Sequence, residues 1–481
     1  MFWRGVIGYL PVNVVQGVMG LLTIVTFTRL LDPGQFGAYA LGFSVMSLVH
    51  TALFTWNEAA MARFWAAEDV EGRGGRHAAA IYRTWVVLLA PLPLIGLAAA
   101  FWPMAPDLKL AVLCGLAAVV PRTVIKLMQE RQRAAGEVSG AASLDMAQTL
   151  GAFVIGAACA WAGLGGAAPL VGLGAAAALC LLWRLPAELK LVGPTRPLAG
   201  TLRPYAAYGL PVAASLILAL ILSSTDRFLL AAFLDEAAVG AYHAGYSLAN
   251  RTLDVVFIWL GAAGGPALIM ALERGGRDAL QPAAREQASL MALLTFPAAA
   301  GLALVSAPLA QLMIGPALAD QAAHVTPWIA ASGLLAGLTT YYFHQAFTLG
   351  RRTPLLLAAM AVPAGANILL NLVLIPRLGL DGALWATLAS YALGLVASAL
   401  LGGRALALPV PWATLGHAAL ATAVMAIVVS HLPALGGVAE LGLKAGVGAI
   451  VYGLIIASTD AGGLRSRSLG LLRARRAGAV A

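Results

Sequence analysis

The sequence predicts an all-α polytopic membrane protein of about 14 transmembrane helices, arranged as two six-helix lobes related by a pseudo-two-fold plus two C-terminal helices. Three observations predict it. Hydrophobic residues make up 60% of the 481 positions and charged residues only 11%, far from the balance of a soluble domain. Continuous apolar runs of about 20 residues, the length that crosses the hydrocarbon core, recur along the whole chain. LDPGQFGAYALGFS at Leu31–Ser44 returns 203 positions later as LDEAAVGAYHAGYS at Leu234–Ser247, with half the positions identical, and a repeat of that size fixes an architecture.

Taken in order, the first lobe holds spans at 5–28, 38–58, 81–102, 108–128, 140–162 and 166–184. The second holds 208–232, 239–264, 288–310, 323–345, 354–376 and 379–402, and two further spans follow at 414–434 and 440–458. The first span has only Arg4 before it and continues past twenty residues into the repeated motif, which predicts a retained helix rather than a cleaved signal peptide. Continuous runs, rather than short polar–apolar alternations, exclude a β-barrel. The repeat falls on equivalent places. LPV opens spans one and seven, at Leu10–Val12 and Leu210–Val212. The LD…GAY motif joins one to two and seven to eight, and GLGGA at Gly163–Ala167 with GLDGA at Gly379–Ala383 joins five to six and eleven to twelve. Because six is even, both halves take one orientation, related by an axis along the membrane normal. Pro11 and Pro211 sit a few residues into equivalent helices, where a missing amide permits a bend. The expected organisation is a lobe over 1–190, a cytoplasmic linker over 191–207, a second lobe over 208–403, extra helices over 404–460 and a basic tail over 461–481.

Charge sets the direction. With the N-terminus in the cytoplasm, 24 cations fall inside and only Arg29, Lys109, Arg227, Arg377 and Lys444 outside, with Arg251 left within a helix. Positively charged loops resist translocation, so both termini are expected in the cytoplasm. The net charge of +9 is then a basic surface against anionic headgroups, with no nucleic acid required, and Arg465–Arg476 reads as a juxtamembrane anchor.

Cys114, Cys159 and Cys180 lie inside spans and suggest neither a disulfide framework nor a metal motif. No cofactor is expected. There is no GxxxxGKS/T loop, no HExxH and no GxSxG, and no connection is long enough for an extramembrane catalytic domain. An enzyme is not expected.

TRLLDPGQFGAYAL at Thr28–Leu41, ARF at Ala62–Phe64, DRFLLAAFL at Asp226–Leu234, VGAYHAGYSL at Val239–Leu248 and NLVLIPRLGLDGALWATLASY at Asn371–Tyr391 resemble the polysaccharide-biosynthesis (O-antigen-type) flippases of the multidrug/oligosaccharidyl-lipid/polysaccharide exporter superfamily. The resemblance covers roughly the first 400 residues; the last two spans match it only in number. It implies two six-helix lobes around a central cavity and transfer of an undecaprenyl-pyrophosphate-linked oligosaccharide across a bacterial inner membrane. It also implies the bilayer and the machinery of polysaccharide polymerisation and export as partners. The motifs mark helix ends and turns and do not hand over a catalytic residue.

A charged, hydroxyl-rich headgroup does not cross hydrocarbon unaided, so such a protein must supply a wet, cationic cavity. Ionisable residues at membrane depth are the candidates. Arg251 lies about twelve residues into span eight, with Asp254 three residues on along the same face, and a guanidinium fork suits a phosphate pair. Arg29 closes span one while Asp226 and Arg227 lie toward the outer end of span seven, a potential outer gate; interfacial snorkelling is the plainer account of the two arginines. Arg122 and Lys126, four apart on span four, with Asn57, Glu58 and Arg63 at the end of span two, suit reception of the diphosphate, although the positive-inside pattern explains the cations equally. His50, His243 and His344, with Asp145 or Glu58, are candidates for carrying protons, and sodium coupling stays open. Tyr341, Tyr342, Phe343 and Phe347 form an aromatic patch, either a sugar platform or an interfacial belt.

Two other functions fit the same plan. An ion-coupled multidrug or cation antiporter of the superfamily shares the two lobes but usually has twelve spans and needs an embedded acidic coupling site. A polymerase or ligase of lipid-linked glycans would carry long outer loops. A peptidoglycan-precursor flippase is a near neighbour of the first reading.

Overall fold

A computed structural model describes residues 2–192, 196–198 and 200–463, with side chains from Val15 onward and at Val12. The side chain of Arg4, the ring of Pro11, part of the linker and the basic stretch Arg465–Arg476 lie outside this description. The described residues form helices and short turns and no strand. The chain divides into two compact units, Met1–Ala244 and Gly245–Ala481.

In the first unit, α1 (Phe2–Leu30), α2 (Pro33–Leu53), α3 (Thr55–Val70), α4 (Gly74–Leu88), α5 (Pro91–Phe101), α6 (Pro106–Ala134), α7 (Val138–Trp161), α8 (Ala168–Val192) and α9 (Leu202–Phe233) lead into the first turns of α10 (Glu236–Leu304). The second unit holds the rest of α10, then α11 (Ser306–Met313), α12 (Pro316–Leu338), a π-turn at Thr339–Phe343, α13 (His344–Leu349), α14 (Thr353–Leu378), α15 (Leu380–Ala405), α16 (Trp412–Ser430) and α17 (Gly437–Thr459).

Local chemistry explains the boundaries. Asp32 caps α2, accepting from Gln35 N at 2.8 Å while the Gln35 side chain accepts from Asp32 N, and Pro33 takes the first helical position where its missing amide costs nothing. The predicted span at 38–58 is broken at Phe54, so Asn57 and Glu58 belong to a new helix, α3. The predicted span at 81–102 is likewise divided between α4 and α5, ahead of Pro91.

The expected cytoplasmic connection at 265–287 is helical. Its charged, Ala- and Leu-containing sequence lacks the hydropathy of a span but has good helix propensity, so α10 runs for 69 residues, bent at Gly275–Gly276 where Gly276 has φ +60°. Eleven described helices are long and apolar enough to cross a membrane, not fourteen. The difference has three sources: α10 carries two predicted spans in one helix, the described apolar part of α1, Val15–Leu30, is shorter than a span, and α12 carries Asp320, Gln321 and His324 in its first half.

In the first unit, α2, α6 and α8 pack together and α9 lies against α2 and α3. Its core includes Phe54, Met46, Val119 and Leu170 in one cluster, and Trp56, Met61, Trp65, Ile81 and Tyr205 in another. Outward apolar side chains are what lipid contact requires: Trp161 is 85% and Phe101 85% exposed, each at a helix end where an aromatic ring suits the headgroup region.

Candidate functional site

The break at Phe54 turns α3 so that Glu58 faces back on α2, and His50 Nε2 meets Glu58 Oε1 at 2.8 Å with the carboxylate almost fully buried. Beside it Asn57, also buried, donates to the Ile81 carbonyl at 3.1 Å. Arg122 on α6 is within electrostatic reach of Glu58 and Tyr39, yet its Nε is buried and has no hydrogen-bond partner. A buried donor left without an acceptor costs about 1–3 kcal/mol, so the guanidinium is held where an anionic oxygen would satisfy it.

Lys126, one turn further on α6, is committed: its Nζ meets Glu130 at 3.0 Å. Glu130 also takes Arg133 at 2.7 Å, and Arg133 reaches Asp145 on α7 at 2.7 Å. Asp145 accepts a further bond from Gln129 at 2.9 Å. Arg122 and Lys126 therefore share a face but not a state.

The second group of sequence candidates lies at the ends of α1 and α9 and in the first turns of α10. Asp226 is fully buried and accepts from the Tyr242 hydroxyl at 2.6 Å. Arg227 turns onto its own helix, donating to the Ser223 carbonyl at 3.0 Å, and Arg29 likewise donates to the Val25 carbonyl at 2.8 Å. His243 packs between Phe36 and Tyr39, with centroid distances of 5.4 and 6.0 Å.

In the second unit, Arg251 is exposed while Asp254 is half-buried and accepts from Asn250 at 2.9 Å. Arg251 makes no contact ion pair with Asp254, although its charge still acts on that carboxylate. The π-turn stacks Tyr341 on Phe257 at 5.8 Å, its carbonyl taking Gln287 Nε2 at 3.2 Å. Tyr342 and Phe347 are buried, so these two aromatics are interior residues rather than an interfacial belt. His344 lies 3.3 Å from the Ser398 hydroxyl. An apolar cavity of about 400 Å³ lies between the later part of α10 and the C-terminal helices, lined by residues such as Leu293, Pro297, Met425 and Tyr452, with Lys444 at its wall held by Glu440 at 2.6 Å.

Several polar residues of the interior escaped the sequence reading. Arg131 and Glu188 form a buried pair across α6 and α8 at 3.0 Å, completed by the Tyr82 hydroxyl at 2.8 Å from Glu188, and Arg131 lies over the Trp65 ring. His77 is fully buried against the Tyr205 hydroxyl. Asn367 and Asn371 are fully buried on α14, and their spacing of four within an apolar span was the signal available.

Residues 103–322, a little under half of the chain, match a family described as polysaccharide biosynthesis protein. No curated protein sequence matches significantly. Among solved structures, the lipid II flippase MurJ in an inward closed conformation superposes with a TM-score of 0.76 at 11% identity, covering 94% of this chain and 98% of that one. An inward-facing multidrug resistance MATE family transporter gives 0.61 at 14% identity, with 81% and 95% covered. A transporter from Pyrococcus furiosus gives 0.51 at 14% identity, with 83% and 93% covered. The chain therefore carries the fold of the multidrug/oligosaccharidyl-lipid/polysaccharide exporter superfamily, and residues 103–322 carry the sequence pattern of a polysaccharide-biosynthesis family, so the resemblance read from the motifs is met by both comparisons.

Proposed function

We propose that the protein is a flippase that carries an undecaprenyl-pyrophosphate-linked oligosaccharide from the cytoplasmic to the outer leaflet of a bacterial inner membrane by alternating access. The observation that carries this reading is the polysaccharide-biosynthesis match over 103–322, which includes both Arg122 and Arg251. In this mechanism Arg122, through its buried Nε, and Arg251 are each candidates to bind the headgroup diphosphate, while the apolar cavity beside α16 and α17 accommodates part of the prenyl chain. The sugar repeat then passes to polymerisation and export machinery. Lobes over 1–190 and 208–403, with both termini in the cytoplasm, complete the proposal.

Deletion in the native host, with lipid-linked intermediates assayed by leaflet, tests it. Intermediates should accumulate on the cytoplasmic side. Outer-leaflet accumulation of unpolymerised units would favour a polymerase or ligase. An unchanged glycan pool with altered drug susceptibility would favour the antiporter reading, which the MATE fold also supports.

The His50–Glu58 pair is the proposed point of proton coupling. A proton gradient that leaves transport in proteoliposomes unchanged rules that out.

A further inference from the structure

We infer that the two copies of the duplicated motif close on one another as a reciprocal glycine seam, and that this seam is the outer barrier of the transport path, parting once in each cycle. Its assignment to the outer side rests on the flippase reading and on the charge-derived orientation.

The contact is between backbones. A methyl group on Gly37 of α2 would overlap the carbonyl oxygen of Glu236 and stand 3.0 Å from Gly240 N. A methyl on Gly240 of α10 would overlap the carbonyl oxygen of Pro33 and stand 3.2 Å from Gly37 N. In the repeat, Gly240 is the counterpart of Gly37 and Glu236 the counterpart of Pro33. The same patch therefore meets itself, with each residue contacting the partner of its own contact, as across a two-fold interface.

Each side of the seam is held by the same device. Asp32 accepts from Gln35 N at 2.8 Å at the start of α2, and Asp235 accepts from Ala238 N at 2.7 Å at the start of α10, fixing where each first turn begins. Aromatic groups flank the glycines: Phe36 and Tyr39 hold His243, and Tyr242, the counterpart of Tyr39, donates to Asp226.

These facts give the repeated motif a job that a plain helix-end signal does not explain. The positions shared by both copies include the glycines that let the two backbones touch. At the glycines themselves no side chains interlock, so parting there breaks no ion pair and no rotamer lock. A single added methyl, by contrast, wedges the helices apart.

The test uses the full-length protein with Cys114, Cys159 and Cys180 replaced by alanine and Phe36→Cys as a reporter, since Phe36 is 1% exposed. Labelling by a membrane-impermeant maleimide from outside should be slow, and should rise by about tenfold in Gly37→Ala and in Gly240→Ala as the open population grows. Gly265→Ala, whose methyl meets nothing within 4 Å, should not raise it. If neither seam variant labels faster than Gly265→Ala, the inference is wrong.

A cross-linking experiment guards against variants that simply misfold. In the double variant Phe36→Cys/His243→Cys, joining the thiols with a short bifunctional methanethiosulfonate should abolish flipping, and reduction should restore it. Undiminished flipping with the pair fully joined overturns the seam. Should wild type move no lipid-linked glycan at all, the flippase reading fails, and the labelling experiment, which needs no substrate, judges the seam alone.

Discussion

Arg251 stands out in the sequence as the cation within a span and Arg122 as a candidate on the cytoplasmic side, and the structure gives them opposite surroundings. Arg122 has a buried Nε with no acceptor, whereas Arg251 is exposed. Arg122→Ala should therefore remove a poorly solvated charge and leave the melting temperature unchanged or higher, while flipping falls by about tenfold to a hundredfold, the worth of one or two charge-assisted hydrogen bonds. Arg122→Lys keeps the charge but loses the fork and should fall between. A drop in melting temperature with normal flipping would make Arg122 a packing residue. For Arg251, alanine should cost little stability and depress flipping; if Arg251→Ala and Arg251→Lys both transport at the wild-type rate, Arg251 has no part in the path. The His50–Glu58 contact was harder to foresee, because eight residues separate the two and only the break at Phe54 turns α3 back on α2.

Among elements, the apolar helices were legible because lipid and packing both demand long uninterrupted hydrophobic runs. The helical stretch through 265–287 was not, since its charges remove the hydropathy signal without removing helix propensity. Arg131 was hidden in a different way: counted as a positive-inside anchor, it is buried against Glu188, a residue that the hydropathy profile placed past the end of span six. That pair ties α6 to α8, with Tyr82 of α4 bonded to the same carboxylate. Glu188→Ala should strand the guanidinium and destabilise by about 3–5 kcal/mol, whereas Arg131→Met/Glu188→Leu, which removes both charges, should cost much less. Thermal unfolding in detergent distinguishes them, and equal losses would assign the pair no special role. The bend in α10 makes a second test. Gly276 has φ +60° and ψ −151°, a conformation almost confined to glycine, so Gly276→Ala should cost about 1–3 kcal/mol or straighten the helix. An unchanged melting temperature together with an unchanged bend, measured by spin-label distances across it, would show that this conformation carries no strain.

For the whole molecule, the number of crossings and the side of the C-terminus are one question. Eleven of the described helices meet the length and hydropathy requirement on their own. Counting α10 as two crossings about its bend, and adding α1 and α12, restores the fourteen of the sequence reading and returns the chain to the side on which it began. The weakest of these is α12, because Asp320, Gln321 and His324 lie in its first half. Its aqueous alternative has a visible cause: His324 meets Asp381 of α15 at 2.7 Å, and both side chains are more than half exposed. If α12 crosses, that pair marks the outer end of α12 and α15, the parity is even, and every later basic loop stays in the cytoplasm, as the 24-to-5 division of cations requires. If α12 does not cross, Arg351, Arg352 and Arg404 are placed outside against that charge rule. A reporter active only in the cytoplasm, fused after Gly463, should therefore be active, and His324→Cys should react with an impermeant thiol reagent from outside. An inactive fusion with His324→Cys still reactive from outside would remove α12 from the membrane and, with it, the match between the two repeats.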